Sequence, residues 1–294
     1  MTTTDLWLVL LSAGLHALWN LWAKASRNAT IFLGLFQAAT LVVTVPLIPW
    51  LDLAAIPRGV WLVLPFTGIV HYFYQRFLAR AYATGDLAVA YPITRSTAAF
   101  VALLGPAIGD RVSLAGGLGI AVVVAGAWAV GTNGRLDPRR LLAPDTRFAW
   151  LALGTTVLYT LADKSAMTAF NGAEWTSPLP RGAVYFLLVN ATHAVLYGPW
   201  MIQALGWERT VSQARDEWRP VLGAALASGA SYALVLEAMR TAPAGYVTAT
   251  RQISVLFAAA LGWWFLGEQT SRARRVGALL TVLGVAVIGV ASSG

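Results

Sequence analysis

From Ala238 the chain reads AMRTAPAGYVTATRQISVLFAAALGWWFLGEQ, and from Ala81, about half a chain earlier, it reads AYATGDLAVAYPITRSTAAFVALLGPAIGD. Ala81 to Thr84 aligns with Ala238 to Thr241, Thr94-Arg95 with Thr250-Arg251, and Gly109-Asp110 with Gly267-Glu268; the spacing drifts by only one or two residues. Each copy runs on into a Gly- and Val-rich apolar stretch. The chain therefore reads as two diverged copies of one unit.

With 57% of its 294 residues hydrophobic and 12% charged, the chain has too little polar surface for a soluble globule of its length. A crossing of a hydrocarbon core about 30 Å thick takes roughly 20 apolar residues as helix, so ten crossings use up most of the sequence. The reading is an all-α integral membrane protein, multi-pass, expected in a bacterial-type inner (plasma) membrane. With no cysteine there are no disulfides, thiolate nucleophiles or Cys-based metal sites. Neither a metal nor a cofactor is expected. Thr2 to Asp5 lack the basic start of a cleavable signal, so the first apolar stretch is expected to stay as a span. The net charge of +8 fits surplus Lys and Arg in cytoplasmic loops, and nucleic-acid binding is not expected.

Ten segments follow in order: Leu6 to Ala23, Ile31 to Trp50, Val60 to Ala81, Leu87 to Ile108, Val112 to Gly131, Phe148 to Phe170, Gly182 to Leu205, Pro220 to Met239, Ala244 to Leu266, and Val276 to Ser292. Residues 133–147, with two prolines, two aspartates and four arginines and no apolar period, form the linker. It separates a first five-helix repeat, 1–132, from a second, 148–294. Five spans is an odd number, so repeats that fold alike must sit in opposite orientations, the inverted-repeat plan of secondary transporters. In the fifth segment Ala115/Gly119 and the series Ala121, Ala125, Ala129 place small residues where helix backbones approach closely.

The odd-numbered connections hold Lys24, Arg27, Arg80, Arg135, Arg139, Arg140, Arg147, Arg209, Arg215, Arg219, Arg272, Arg274 and Arg275; the even side holds only Arg58, Arg111, Arg181 and Arg240. The positive-inside rule then puts the odd connections in the cytoplasm and both termini outside.

On its two repeated stretches, their Gly-acidic turns, and Leu15-His16-Ala17-Leu18-Trp19-Asn20 followed by Lys24, the chain resembles the EamA-type transporters of the drug/metabolite transporter superfamily. The resemblance spans essentially the whole length. It implies ten helices in two inverted five-helix repeats and transport of substrates such as amino acids, nucleotide sugars, organic anions or drugs. It also implies cytoplasmic termini, opposite to the charge count.

A charge in mid-bilayer costs at least ~2.5–3.5 kcal/mol, so such residues face a cavity or a partner. Arg95 and Arg251 occupy equivalent places in the repeats, which a pseudo-two-fold brings together at a central site. There two guanidiniums would hold an anion; alternatively each pairs with a carboxylate such as Glu237 or Asp163 and only holds helices together. Deep cations (Arg76, Arg95, Lys164, Arg251) outnumber deep anions (Asp163, Glu237), which favours an anionic or zwitterionic substrate. Lys24, Arg80 and Lys164 have stems long enough to reach the interface. His16 and Asn20 in the first segment and Tyr159 and Asp163 in the sixth form a second symmetric set, with Trp19 as a wall; such residues also bond neighbouring helices. Tyr74, Tyr91, Tyr185 and Tyr232 are candidate cavity tyrosines. Asp163, Glu237, His71 and His193 are candidate proton-coupling groups, with packing donors as the alternative for the histidines. Glu268 is expected to cap the last helix or meet Arg272. Most of the thirteen tryptophans, among them Trp50, Trp200 and Trp218, fall at span ends where an interfacial belt explains them.

The expected activity is secondary transport of a small organic anion or zwitterion, of amino-acid, carboxylate or phosphonate type, by alternating access. No GxxxxGK[ST] motif is present to drive it with ATP. The alternatives are an exporter of cationic or lipophilic drugs, which calls for acidic cavity residues, and an intramembrane enzyme acting on lipid-linked metabolites, for which HExxH and GxSxG are missing. A non-enzymatic role is therefore expected. The expected partners are a small-molecule substrate and the lipid bilayer, with a self-contained monomer or a homodimer as the assembly.

Overall fold

The computed structural model of the chain describes residues 1–84, 87–132, 134, 138–257, 260 and 271–292. The Gly267-Glu268 turn, the end of the ninth segment at Leu266, and linker residues 133 and 135–137 lie outside them. The described residues are helical with no strand. In the first half lie α1 (Thr3–Ala25), α2 (Ala29–Thr44), α3 (Arg58–Thr84), α4 (Leu87–Arg95), α5 (Thr97–Leu104) and α6 (Leu114–Gly131). In the second lie α7 (Arg147–Ala169), α8 (Arg181–Leu205), α9 (Trp207–Asp216), α10 (Trp218–Thr241), α11 (Ala244–Arg251) and α12 (Arg272–Ala291).

The ends of these helices follow local chemistry. Thr2 and Asp5 form a reciprocal capping box at α1, in which the Thr2 hydroxyl accepts from Asp5 N (3.1 Å) and Asp5 Oδ2 accepts from Thr2 N (2.7 Å). Asn28, Ser113 and Ser271 cap α2, α6 and α12 in the same sense, each accepting a backbone N–H three residues on. Pro46 and Pro49 turn the end of α2 into a tight 3-10 segment, Val45–Trp50. Just beyond it, Asp52 accepts from the Thr176 hydroxyl and from Ala55 N, which ties the α2–α3 loop to the α7–α8 loop. Those bonds hold its carboxyl below the usual aspartate value, so the tie persists at neutral pH and loosens only on strong acidification.

Two expected spans are interrupted. The fourth breaks at Ser96, between α4 and α5, where the hydroxyls of Thr94, Ser96 and Thr97 all bond to carbonyls three or four residues back. The ninth breaks just after Arg251, where Gln252 and Ile253 make 3-10 turns through Gln252 N to Ala249 O and Ile253 N to Thr250 O. Arg95 and Arg251 are thus the last residues of two broken helices. The seventh connection holds a helix absent from the sequence reading, α9, whose sequence WERTVSQARD has no spanning character. It lies against the start of α2, with Gln213 buried and donating to Asn28 O at 3.1 Å.

The outer surface is apolar: Leu114 is 86% exposed, Leu62 81% and Val290 77%, while Asp163, Ser12, Thr67 and Ser231 are fully buried. Polar groups inside and bare leucines outside suit a lipid solvent. Five stretches among the described residues are long and apolar enough to cross a membrane: α1, α2 with its 3-10 extension, α6, α10 and α12. Long but more polar are α3 (27 residues), α7 (23) and α8 (25).

Helix α1 packs on α10, and α3 on α7. Between α1 and α10, Ser12 and Ser231 clasp each other, each hydroxyl donating to the other's carbonyl at 2.7 and 2.9 Å. Helices α6 and α12 meet backbone to backbone: a methyl placed on Gly126 would lie 2.6 Å from Gly277 O, and one on Gly284 would lie 2.7 Å from Gly119 O. Of the small residues expected to pack closely, Gly119 and Ala129 lie in this seam, Ala129 Cβ 2.9 Å from a methyl placed on Gly277, while Ala121 and Ala125 are exposed. Gly119 and Gly126 stand seven residues apart, almost two full turns, and so stay on one line of a nearly antiparallel contact, whereas residues four apart drift around the helix. Gly126→Leu is expected to cost about 1–3 kcal/mol or more by overpacking. Thermal denaturation in detergent would show it as a lowered midpoint, while Gly117→Leu, which meets nothing within 4 Å, leaves the midpoint in place.

Candidate functional site

The interrupted helices and α1, α2, α3, α7, α8 and α10 enclose a central cavity of about 300 Å³. Arg95 and Arg251 both line it. Arg95 Nη1 donates to Gln252 Oε1 (3.2 Å), and Gln252 Nε2 returns a bond to Arg95 O (3.4 Å), so the two breaks are joined through one glutamine. Tyr91 is not on the cavity wall; its ring lies under the Arg95 guanidinium, 4.8 Å from the centroid, and props it from behind.

Arg251 Nη2 lies 3.1 Å from His16 Nδ1 and 3.4 Å from Ser231 Oγ. A guanidinium only donates, so His16 Nδ1 accepts and its ring proton sits on Nε2. Arg251 Nε is buried without a hydrogen-bond partner, and the residue forms no ion pair among those described. The wall continues along α1 through Trp19, edge-on to His16 at 5.1 Å, and Asn20.

Across the cavity is a second group. His71 stacks on Tyr159 (centroids 3.9 Å apart), Tyr74 meets the edge of Tyr159 (5.6 Å), and His193 stands 6.3 Å from His71. The Tyr232 hydroxyl connects this group to Asp163: it donates to Asp163 Oδ2 and lies 3.3 Å from His71 Nε2. Asp163 is walled off behind Tyr232, where Thr67 (2.7 Å) and Tyr185 (2.8 Å) also donate to it. His71 Nδ1 faces Thr67 O at 2.9 Å and, because a carbonyl only accepts, carries a proton. The Tyr232 hydroxyl has one hydrogen and two partners. When that hydrogen goes to Asp163, the His71 Nε2 contact is filled only by an imidazolium.

Of the remaining candidates, Glu237 stands off the cavity. It accepts from Gly182 N (2.9 Å) at the start of α8 and pairs with Arg240 (2.8 Å). Five residues past Tyr232 on one helix is about 140° around the axis, which turns Glu237 to another face. Lys164 does not reach out to the interface. It is buried, donates to Met239 O (2.8 Å) and Ala242 O (3.0 Å), and pairs with Asp110 (3.5 Å). Arg76 turns outward, over Trp200. Neither carboxylate named as an alternative partner for the site arginines takes that role among the described contacts.

The cavity also uses residues with no earlier assignment, Gln75, Asn190 and Gln252 among them, together with Gln37. Gln37 had a signal, being the lone amide in an apolar span. Several buried polar atoms of cavity residues have no partner: Trp19 Nε1, Gln37 Oε1, Gln75 Oε1 and His193 Nε2, besides Arg251 Nε. Such groups are costly to leave unsatisfied, and these five belong to side chains of the cavity wall.

No curated protein matches this chain in sequence. A solved structure, described only as the crystal structure of a protein, is similar over 100% of this chain and 98% of its own, with 15% identity and a TM-score of 0.66, which speaks for the fold alone. The family model for EamA-like transporters matches residues 177–290, from the loop before α8 to the last turn of α12. Buried polar groups, an apolar exterior and this match together point to an integral membrane protein in which residues 177–290 match the EamA-like transporter family of the drug/metabolite transporter superfamily.

Proposed function

We propose that the chain is a secondary transporter of a small organic anion or zwitterion, working by alternating access around the central cavity. One observation carries the reading: two guanidiniums face a cavity that no carboxylate lines among the described residues. Each can hold an oxyanion through two parallel hydrogen bonds. The free acceptors Gln37 Oε1 and Gln75 Oε1 suit the ammonium of a zwitterion. A lipophilic cation would meet two guanidiniums on the cavity wall.

The same reading takes the chain as ten spans in two inverted repeats. Support comes from the glycine seam: the shift of 158 residues that carries Gly109 onto Gly267 also carries Gly119 onto Gly277 and Gly126 onto Gly284. The contacts Gly119–Gly284 and Gly126–Gly277 are then exchanged by one two-fold. The first span packs on the eighth and the sixth on the third, a second exchanged pair. Interrupted helices at a site between repeats fit this class of transporter.

The test is ligand-induced thermal stabilisation of the purified chain against carboxylates, phosphonates, amino acids and lipophilic cations. A ligand at 100 times its Kd adds about 2.7 kcal/mol. Stabilisation by anions or zwitterions is expected; stabilisation by cations alone overturns the reading.

Proton coupling is assigned to the chain Asp163–Tyr232–His71, which Thr67, Tyr185, Tyr159 and His193 surround. In proteoliposomes, Asp163→Asn is expected to lower accumulation driven by a pH gradient about tenfold or more while solute exchange continues. Unchanged accumulation would remove Asp163 from the coupling path.

A further inference from the structure

On the outer face of α3, Leu62, Phe66, Ile69, Phe73, Arg76 and Arg80 follow one another at steps of four, three, four, three and four residues, a single stripe along the helix. The first four are exposed apolar side chains. The last two, with Phe73 and Phe77, line a cleft of about 170 Å³, several water volumes. An apolar track ending at two guanidiniums has the shape and charge order of one phospholipid, acyl chain then phosphate.

The two arginines are held in place. Arg76 donates to the Tyr72 hydroxyl at 3.0 Å, one turn back along α3, and lies 4.8 Å over the Trp200 ring. Tyr72 is farther than Arg76 from the end of α3 at Thr84, so this contact turns the guanidinium back along the helix instead of out past its end. It pairs with no carboxylate among the described residues. Arg80 lies one turn nearer the helix end, 5.4 Å over the Phe148 ring, and Arg147 shares that ring from 4.9 Å. The Arg76 guanidinium, fixed on a lipid-facing surface, is costly unless an anion comes to it.

We propose that this cleft binds the phosphate of an anionic phospholipid, whose acyl chain lies along Phe73, Ile69, Phe66 and Leu62. Basic pockets beside membrane helices take lipid head groups by the same chemistry. The proposal rests on α3 crossing the membrane, as in the reading above, and is independent of what the central cavity carries.

The experiment uses the full chain, purified and delipidated, with phosphatidylglycerol or phosphatidylcholine added back and bound lipid counted by native mass spectrometry. The wild type is expected to retain phosphatidylglycerol at least about tenfold better than phosphatidylcholine, with the preference shrinking in high salt. Arg76→Gln with Arg80→Gln is expected to erase the preference. Equal retention of the two lipids by the wild type overturns the proposal on the wild type alone, whatever the variant's folding. An unchanged preference in the double variant overturns it too, as does displacement of phosphatidylglycerol by inorganic phosphate, which would mark a site for a soluble anion. Retention is read without any transport assay, so failure here and failure of the transport reading are separate results.

Discussion

Arg251→Gln is expected to abolish the thermal stabilisation that an anionic ligand confers, with affinity falling by about 2–5 kcal/mol, or roughly 30- to 5,000-fold. Arg251 is the better anchored of the two site arginines for this purpose. Its Nη2 is oriented by His16 and Ser231, and its Nε is buried without a hydrogen-bond partner. Glutamine keeps a donor but loses the charge and the planar fork, and lysine keeps the charge but not the fork, so Arg251→Lys is expected to fall between. Arg95→Gln moves in the same direction by less, because Gln252 already takes one of its donors. The fold of Arg251→Gln is expected to hold, since the Ser12–Ser231 clasp does not depend on the guanidinium. A variant that elutes as a monodisperse peak and responds to anions like the parent would show that Arg251 is structural.

Asp110→Ala is expected to be the most destabilising single change discussed, at about 3–5 kcal/mol from the uncompensated Lys164 charge alone. Asp110 follows Gly109, whose φ of 78° lies in the left-handed region, so the turn after α5 delivers the carboxylate to two places at once. One oxygen pairs with Lys164 on α7, and the other accepts Ala244 N at 2.8 Å, capping α11 from a distance. Loss of the cap adds about 1 kcal/mol. Lys164 would be left with only the carbonyls of Met239 and Ala242. Replacing both partners, Asp110→Asn with Lys164→Met, is expected to cost less than Asp110→Ala, because it leaves no uncompensated charge buried. Denaturation midpoints of Asp110→Asn, Lys164→Met and the double variant measure the coupling. Additive losses would mean that the pair does not act as a unit.

Much of this was legible before any coordinates, for reasons that differ between residues. Arg95 and Arg251 stood out because an intramembrane charge is rare and because the duplication placed them in register; the structure sets both on one cavity. The stripe on the first helix was visible as spacing, but the structure divides it. Ser12 turns to its clasp with Ser231, while His16, Trp19 and Asn20 face the cavity. Glu237 and Lys164 show the limit: a polar residue in an apolar helix announces that it needs a partner, and the rotation of that helix decides whether the partner is solute or protein. Rotation is set by packing, here by contacts such as the glycine seam, whose seven-residue spacing was present in the sequence but outweighed by the more regular alanine series. The interruption at Ser96 left a fainter trace, since single hydroxyl-bearing residues break helices only where their carbonyl bonds add up. Helix α9 carries no spanning pattern, and α3 and α7 fall short of a simple apolar criterion because the wall of the cavity is built from them.

The two interruptions have a kinetic consequence. A guanidinium placed at the joint of a two-part rod sits at its fulcrum, where the swing of either arm displaces it least. Arg95 and Arg251 both occupy such points and are linked through Gln252. If the chain works by the alternating access proposed above, the anion need not be passed from one set of contacts to another as the arms rock, and its affinity is expected to be nearly the same from either side. The protein would then act as a reversible exchanger without a rectifier, and net flux would follow whichever gradient the cell maintains.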